Sequence, residues 1–403
     1  MQLNRCPKAS ADTGIRTMLP EDTLERVLPL LSAAGLEPLE DITKKDNIGI
    51  PVYSIARPNT AHGKRKVYNG KGPTPEQAKA SAIMEAMERY SAELRENDEI
   101  IYGTFDEASE NGLTLDPAEM ILPLRTMNYY KNDVIAWCTG FELLRGEEIW
   151  VPACAVYHPY FPDGDMQLFR FHTNGIAAGN TMEEAVLHAM LELIERDAWS
   201  ICEFREKANA DVIVGDGTLC SKLIKQFNDN GVEIYLKDLT SDIGIPTIGA
   251  AADDVRTKDP ELLTIGVGTH LNPEIAAVRA LTEVAQSRTT HKHGSKINAQ
   301  LQRTSQEMGY DNIKKVNRVW YSKLSNTIEL SKMKRLDTPY VLDDIEVLFD
   351  NLIRCGFDKI VAVDLTRPEI GIPAVRMIIP GLEVSTMDPE REGKRLNGVH
   401  KKA

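Results

Sequence analysis

One short design occurs twice in this chain and is echoed a third time, and it limits the fold more than any other feature. The first copy is Ala82-Ile83-Met84-Glu85-Ala86-Met87-Glu88-Arg89, and the second is Ala189-Met190-Leu191-Glu192-Leu193-Ile194-Glu195-Arg196. The echo is Ala280-Leu281-Thr282-Glu283-Val284-Ala285-Gln286-Ser287-Arg288. Ala78, Ala185 and Ala276 each stand seven residues ahead of the leading glutamate. The runs are rich in Ala, Met, Leu and Glu and hold no proline or glycine, so they read as helices. Positions three, four and seven apart share a helix face. Glu85 and Glu88 therefore project over Ser81 and Ala78, and Glu192 and Glu195 over His188 and Ala185. Glu283 and Gln286 likewise project over Arg279 and Ala276.

These carboxylates interrupt helices otherwise filled by residues such as Ile83, Met84, Met87, Met190, Leu191 and Ile194. Two like charges one turn apart and partly buried repel each other unless a cation lies between them. A single pair reads as a solvated helix face. Two matched copies and an amide variant argue instead for a hard divalent cation held by carboxylate oxygens. The segments just ahead (67–74, 171–181 and 262–272) each read as a β-type run, a glycine-bearing loop and a Thr or Asn cap. Such a unit would aim free backbone N–H groups and the positive end of a helix dipole at one point, which suits phosphate. Neither a Walker loop nor a Rossmann fingerprint is present.

Together, Ser81-x-x-x-Glu85-x-x-Glu88-Arg89, the run from Ala178-Gly179-Asn180-Thr181 to Glu192-x-x-Glu195-Arg196, and Glu283-x-x-Gln286-x-Arg288 resemble the three ATP-binding motifs of the YcaO family. Gly70-Lys71-Gly72 ahead of the first motif is also typical of that family. The resemblance spans roughly residues 68–380. It implies an ATP-dependent enzyme that activates peptide-backbone amides, making azolines, thioamides or amidines.

Composition sets outer limits. At 403 residues and 42% hydrophobic content, the chain can bury a large core in one big domain or two ordinary ones. A net charge of −13 argues against a nucleic-acid or anionic-membrane surface. No stretch approaches the ~20 apolar residues that span a bilayer, and Met1-Gln2-Leu3-Asn4-Arg5-Cys6 is no signal peptide. Cys6, Cys138, Cys154, Cys202, Cys220 and Cys355 form no Cys-x-x-Cys pair and no zinc spacing, which suits reduced thiols in a cytoplasmic protein. No motif marks any of them as catalytic.

Along the chain, Pro20-Glu21-Asp22-Thr23 reads as a helix start with Thr23 near the cap. Short strands are expected at 51–58, 67–68, 135–138 and 149–153, with Lys64-Arg65-Lys66 as a charged turn and 157–162 as a packed aromatic loop. A helical run at 223–227 leads into a strand at 231–240, a Gly244-Ile245-Pro246 turn and a second strand at 247–251. The order recurs at 347–353, 356–366, Gly371-Ile372-Pro373 and 374–379. Residues 300–336 are polar and read as outer helices. No linker divides the chain. The expectation is α/β: a single large domain with internal pseudo-symmetry, strands packed between helices, and an ATP site formed where the three glutamate-bearing helices converge. Residues 1–59 would be an arm completing the nucleotide site, 60–385 the catalytic core and 386–403 a tail.

The resemblance also implies roles. Mg²⁺ would be held by Glu85, Glu88, Glu192 and Glu195, with Glu85, Glu192 and Arg288 as the catalytic set. ATP would be held by Arg16, Thr23, Lys71, Ser81, Arg89, Asn180, Glu184, Arg196, Glu283, Gln286 and Arg288. Arg16 and Thr23 have the spacing of the family's N-terminal basic and hydroxyl pair, with Lys8 as the alternative base. Azoline-forming members end in a Pro-x-Pro-x-Pro tail, whereas this chain ends Arg395-Leu396-Asn397-Gly398-Val399-His400-Lys401-Lys402-Ala403. That favours the stand-alone archaeal methanogen type, which makes a thioamide, a thioglycine in the alpha subunit of methyl-coenzyme M reductase. The type uses an external sulfide source and often a TfuA-like partner, and releases ADP and phosphate. A homodimer is expected. An azoline-forming cyclodehydratase acting on Cys, Ser or Thr, and a non-catalytic nucleotide-binding scaffold, are the alternatives.

Overall fold

The computed structural model describes residues 1–10, 14–61, 63–127, 132–293 and 299–398, of which 299–302 only as backbone. The end of the expected tail, Val399 to Ala403, lies outside the described residues. The first elements are α1 (Pro20–Val27), β1 (Glu40–Asp41), β2 (Val52–Arg57), β3 (Lys66–Lys71) and α2 (Pro75–Ser91). Next come β4 (Ile101–Gly103), α3 (Phe105–Glu110), β5 (Ile135–Glu142), β6 (Glu147–Pro152), α4 (Ala153–Val156), β7 (Ile176–Ala178) and α5 (Met182–Arg205). The middle holds β8 (Ala210–Ile213), α6 (Leu219–Asp229), β9 (Val232–Asp238), β10 (Thr247–Asp254), β11 (Thr264–Thr269) and α7 (Pro273–Lys292). The last are α8 (Ala299–Met308), α9 (Tyr310–Val316), α10 (Arg318–Tyr321), β12 (Thr327–Glu329), α11 (Val341–Arg354), β13 (Val361–Asp364) and β14 (Ala374–Ile378).

The chain is α/β and falls into two compact units, each assembled from separated segments. Unit one comprises Met1–Met18, Met87–Ile201 and Thr338–Ala403. Its sheet runs β4-β5-β13-β14-β7, with β6 paired to β5, and every pairing is antiparallel. Unit two comprises Leu19–Ala86 and Cys202–Asp337. It holds an antiparallel β1-β2-β3 sheet and a five-stranded sheet ordered β11-β10-β9-β8-β12. In the latter only β12 is parallel to its neighbour, β8.

The helix–strand–turn–strand order expected twice is found twice. In unit two it is α6, β9 and β10, and β10 pairs antiparallel with β11, which leads into α7. In unit one it is α11, β13 and β14, and β14 pairs antiparallel with β7, which leads into α5. Both turns place their glycine at positive φ, 78° for Gly244 and 60° for Gly371, a conformation that costs any residue with a Cβ.

The core of unit two explains why α7 lies where it does. Ile248, Ala250 and Ala252 alternate along β10 and so share one face, which is buried with Leu223 and Phe227 of α6 and Leu281 and Val284 of α7. A Cβ on Gly249, of the opposite parity, would lie 2.5 Å from the ring of Trp320 on α10. The strand is thus covered on both sides and reads as an unbroken buried run. Burying each large side chain here contributes roughly 1.5–3 kcal/mol. Residues 300–336 differ from expectation at one end. Helices fill Ala299 to Tyr321, but Thr327–Glu329, a β-favouring Thr-Ile-Glu, adds an edge strand to β8. None of the described helices is long and apolar enough to cross a membrane.

Candidate active site

The glutamate helices α2, α5 and α7 share one construction. Ala78, Ala185 and Ala276 have no exposed surface, and most other positions of each helix are buried too. Within residues 81–89, 185–196 and 276–288, what stays half-open is a narrow polar stripe on each: Ser81, Glu85 and Arg89 on α2, His188, Glu192 and Arg196 on α5, and Arg279, Glu283, Gln286 and Ser287 on α7. Beside these stripes Glu88 and Glu195 are buried, at 8% and 3% exposure. Carboxylates therefore sit on helices that are apolar on nearly every side, the opposite of a solvated face.

The alanine ahead of each motif lets a strand or loop lie directly on the helix. A Cβ on Gly70 would fall 2.0 Å from the Ala82 amide nitrogen and 2.3 Å from the Ala78 carbonyl oxygen. On Gly268 it would fall 2.2 Å from the Ala276 carbonyl oxygen, and on Gly179 2.6 Å from the Ala185 nitrogen. Gly70, Gly266 and Gly268 accordingly belong to strands β3 and β11, not to the phosphate loops their sequence suggests. Glycine is needed there for backbone approach rather than for a turn. The caps are as expected. The Glu184 amide donates to Thr181 Oγ1 (3.2 Å), the Glu274 amide to Asn272 Oδ1 (3.0 Å) and the Gln77 amide to Thr74 Oγ1 (3.3 Å). Thr23 is corrected. Leu19 is the N-cap of α1, and Thr23 is buried within the helix with its hydroxyl donating back to the Leu19 carbonyl (3.1 Å).

In unit two, Lys71 pairs with Glu283 (3.0 Å), and Gln286 Nε2 donates to the Asn69 carbonyl (2.7 Å), fastening β3 to α7. Arg288 is buried. Its Nε donates to Asp46 (2.9 Å) and its Nη2 to Asp254 (3.1 Å), while Lys292 adds a second cation on Asp46 (2.6 Å). Burial alone would raise the Asp254 carboxyl, but the Thr257 amide and Arg288 overcome it and hold the group below its usual value. Arg288 thus fixes α7 against two carboxylates.

In unit one, Glu184 is the hub. Its carboxylate, wholly buried, accepts from Arg16 Nη1 (2.7 Å), the Thr17 amide (3.0 Å), the Thr17 hydroxyl (2.9 Å) and Asn180 Nδ2 (3.2 Å). Lys8, the alternative base, is instead buried against Asp344 (2.5 Å). Glu88 pairs with its neighbour Arg89 (2.8 Å), and the Arg196 guanidinium lies 4.9 Å over the Trp199 ring. Arg376 on β14 is buried. Burial pushes its guanidinium down to about 9; Glu192 opposes that fall, Arg391 and Arg89 add to it, and Glu88 opposes it. Glu88 of α2 and Glu192 of α5 therefore bear on one guanidinium.

Sequence reasoning passed over Arg376, Arg391, His172, Asp46 and Asp254. The available signal was a lone arginine inside the apolar strand Ala374-Val375-Arg376-Met377-Ile378, a position where charge needs a reason.

These donors suit Mg²⁺. Among the described residues no three His, Cys, Asp or Glu side chains form a ready-made metal cage. Mg²⁺ needs none, because it takes one or two carboxylates and completes its octahedron with water and phosphate oxygens. The buried Glu88 and Glu195 and the half-buried Glu85 and Glu192 are oxygen donors of that kind. The cysteines do not suit nucleophilic chemistry. Burial pushes Cys154, Cys202 and Cys220 up to about 12 and Cys138 higher still, and raises Cys6 as well.

The family model described as YcaO cyclodehydratase, ATP- and Mg²⁺-binding, matches residues 69–383. An uncharacterized protein of Methanothermobacter thermautotrophicus is 46% identical over 380 residues, covering 94% of this chain and 97% of its own length. A second relative, an uncharacterized protein in the tfuA 3′ region of Rhizobium leguminosarum bv. trifolii, is 28% identical and covers 95% of this chain and 92% of its own. Among solved structures, the YcaO of Methanopyrus kandleri bound with AMPPCP and Mg²⁺ superposes with a TM-score of 0.80 at 29% identity. That match covers 96% of this chain and 98% of the other.

Proposed function

The chain belongs to the YcaO family, and on that premise we propose that it uses Mg²⁺–ATP to activate a peptide-backbone amide for attack by sulfur, giving a thioamide. The observation that carries this is the threefold construction of α2, α5 and α7, where carboxylates are kept on otherwise buried helices. The Mg²⁺–AMPPCP complex of the Methanopyrus kandleri relative supports the nucleotide and the metal. The relative encoded in a tfuA 3′ region supports thioamidation and a TfuA-like partner. The target we assign is a glycine of the alpha subunit of methyl-coenzyme M reductase, the sulfur source an external sulfide, the compartment the cytoplasm and the assembly a homodimer. A monomer at micromolar concentration by light scattering would refute the last.

An amide carbon is a poor electrophile and its oxygen a poor leaving group. Hydrosulfide adds to the carbonyl carbon, the carbonyl oxygen takes the γ-phosphoryl group, and the C–O bond breaks as phosphate leaves with that oxygen. The hydrosulfide proton departs with the phosphate, ATP becomes ADP, and no electrons change hands. Such phosphoryl transfer is mostly positioning and charge neutralisation. Bound Mg²⁺ supplies that neutralisation at the phosphates. Glu85, Glu88, Glu192 and Glu195 are assigned to hold it. Arg16, Lys71, Arg89 and Arg196 are assigned to the phosphates, and Thr23, Ser81, Asn180, Glu184, Glu283 and Gln286 to the rest of the nucleotide. Arg288, expected in the catalytic and ATP-binding sets, is committed to Asp46 and Asp254, and we assign it a positioning role at the nucleotide site through them.

The test is peptide-dependent phosphate release with sulfide present, paired with mass analysis of the peptide. Exchange of oxygen for sulfur is expected. Loss of one water would make the chain an azoline-forming cyclodehydratase, the activity its family description names. ATP binding without turnover on any peptide would make it a scaffold.

A further inference from the structure

A cavity of about 50 Å³ lies within unit one. One water needs roughly 10–15 Å³, so there is room for a larger guest. Its wall is mostly apolar (Ala155, Phe169, Leu193, Ile378 among others), but it also carries His172, Asn174, Arg376 and Arg391. Arg391 Nη1 stands 3.0 Å from His172 Nε2, its Nε donates to the Ile121 carbonyl (2.7 Å) and its Nη2 to the Met120 carbonyl. Arg376 Nη1 donates to the His172 carbonyl (2.9 Å), and its Nη2 stands 3.5 Å from His172 Nδ1.

The His172 ring is half-buried and flanked by the Arg376 and Arg391 guanidinium groups, which disfavour its protonated form, so it is neutral and offers a single lone pair. Arg391 at 3.0 Å takes that lone pair at Nε2, which puts the ring proton on Nδ1. Arg376 Nη2 then faces a donor, and Arg376 Nε has no hydrogen-bond partner among the described residues. Nε and Nη2 form the edge of the guanidinium that grips an anion in parallel, as Arg5 Nε and Nη2 grip Asp343. Among the described residues neither Arg376 nor Arg391 has a hydrogen-bonded carboxylate, although Glu192 and Glu88 bear on Arg376, and Asp388 on Arg391, through space. Asn174, which lines the same cavity and is 3% exposed, has its Oδ1, an acceptor, without a partner among the described residues.

We propose that this cavity is the binding site of a small, weakly hydrated, protonated monoanion, held by the Nε/Nη2 edge of Arg376 and donating its one hydrogen to Asn174 Oδ1. On the thioamidation reading above, on which this identification rests, the anion is hydrosulfide. Its soft surface suits the apolar wall, its charge suits Arg376, and its S–H suits Asn174. A carboxylate or halide satisfies the arginine but leaves Asn174 unmet.

The experiment is anaerobic crystallography of the full chain with sodium bromide as the anomalous probe, in competition with sodium hydrosulfide and with formate. The expected result is bromide in the cavity, displaced by hydrosulfide more readily than by formate. It should be absent from Arg376→Met and from Ala155→Leu, a variant that fills the space and keeps every charge. Both variants should also raise the KM for hydrosulfide about tenfold or more. A cavity holding only water at high bromide, or bromide retained in Arg376→Met, overturns the proposal. Thioamide formation with the cavity still empty of anions does the same, and leaves the proposed function standing. Bromide displaced by hydrosulfide with no thioamide from any peptide supports the anion site and removes the proposed function instead.

Discussion

Arg16 Nη1 lies 2.7 Å from Oε1 of Glu184, joining the N-terminal arm to the first turn of α5 across 168 residues of sequence. Burial would raise the Glu184 carboxyl, but Arg16 and Thr17 reverse that and hold it below its ordinary value. A group whose folded pKa is depressed stabilises the fold above its unfolded pKa and loses that contribution as pH falls through the folded value. Arg16→Met removes the cation and leaves the carboxylate buried. The expected loss at neutral pH is about 2–3 kcal/mol, below the ~3–5 kcal/mol of a fully buried pair, because solvent screens a side chain as exposed as this one. Arg16 retains 33% side-chain exposure. Denaturant unfolding checks this: the loss should shrink at about pH 4 relative to about pH 7. Equal losses at both would mean that Arg16 contributes packing rather than charge.

Glu88→Gln and Glu195→Gln keep size and remove charge from the two most buried motif carboxylates. Each is expected to weaken Mg²⁺–ATP binding by about tenfold or more, or ~1.4 kcal/mol, in titration calorimetry. Thermal unfolding should stay cooperative. Unchanged affinity in both variants would leave the carboxylates without a metal to hold.

Much of this design was legible before any coordinates, for a physical reason. Helix periodicity is local, so Glu85 with Glu88 and Glu192 with Glu195 declare a shared face in sequence alone. The caps Thr74, Thr181 and Asn272 are local as well. Strand pairing is not local. Thr327–Glu329 reads as helical in sequence because its partner strand, β8, lies more than a hundred residues earlier. Gly70 and Gly268 look like loop residues until the helix beneath them is in place. The buried ion pairs of Arg288 with Asp46 and Asp254 join segments that no spacing rule connects.

Gly70 makes the closest of these approaches. Gly70→Ala places a methyl group 2.0 Å from the Ala82 nitrogen, where backbone cannot give way as a flexible side chain would. β3 must lift from α2, which also disturbs the neighbouring Lys71–Glu283 pair. The expected cost is about 1–3 kcal/mol or more, the range for overpacking a close contact. Denaturant midpoints check it, with Gly63→Ala as a reference whose added methyl meets nothing within 4 Å but whose φ of 66° is itself strained. A smaller loss at Gly70 than at Gly63 would count against the close-approach account.

If sulfur arrives from outside, no cysteine of this chain should be needed. A thiol pushed up to about 12 by burial, as at Cys154, Cys202 and Cys220, stays protonated at neutral pH. Cys138 is higher still. Those four are buried, and only Cys6 and Cys355 are partly open. Single Cys→Ala changes at Cys138, Cys154, Cys202, Cys220 and Cys355 should therefore leave sulfide-dependent thioamide formation largely intact, at a modest cost in stability where the thiol was packed. Loss of Glu85 or Glu192 should instead reduce turnover by about a hundredfold or more, because charge neutralisation at the phosphates contributes several kcal/mol to lowering the barrier. Phosphate release with free sulfide, followed by mass analysis of the peptide, separates the two sets. A cysteine variant that folds and binds ATP but makes no thioamide would mean that sulfur passes through the protein before it reaches the amide.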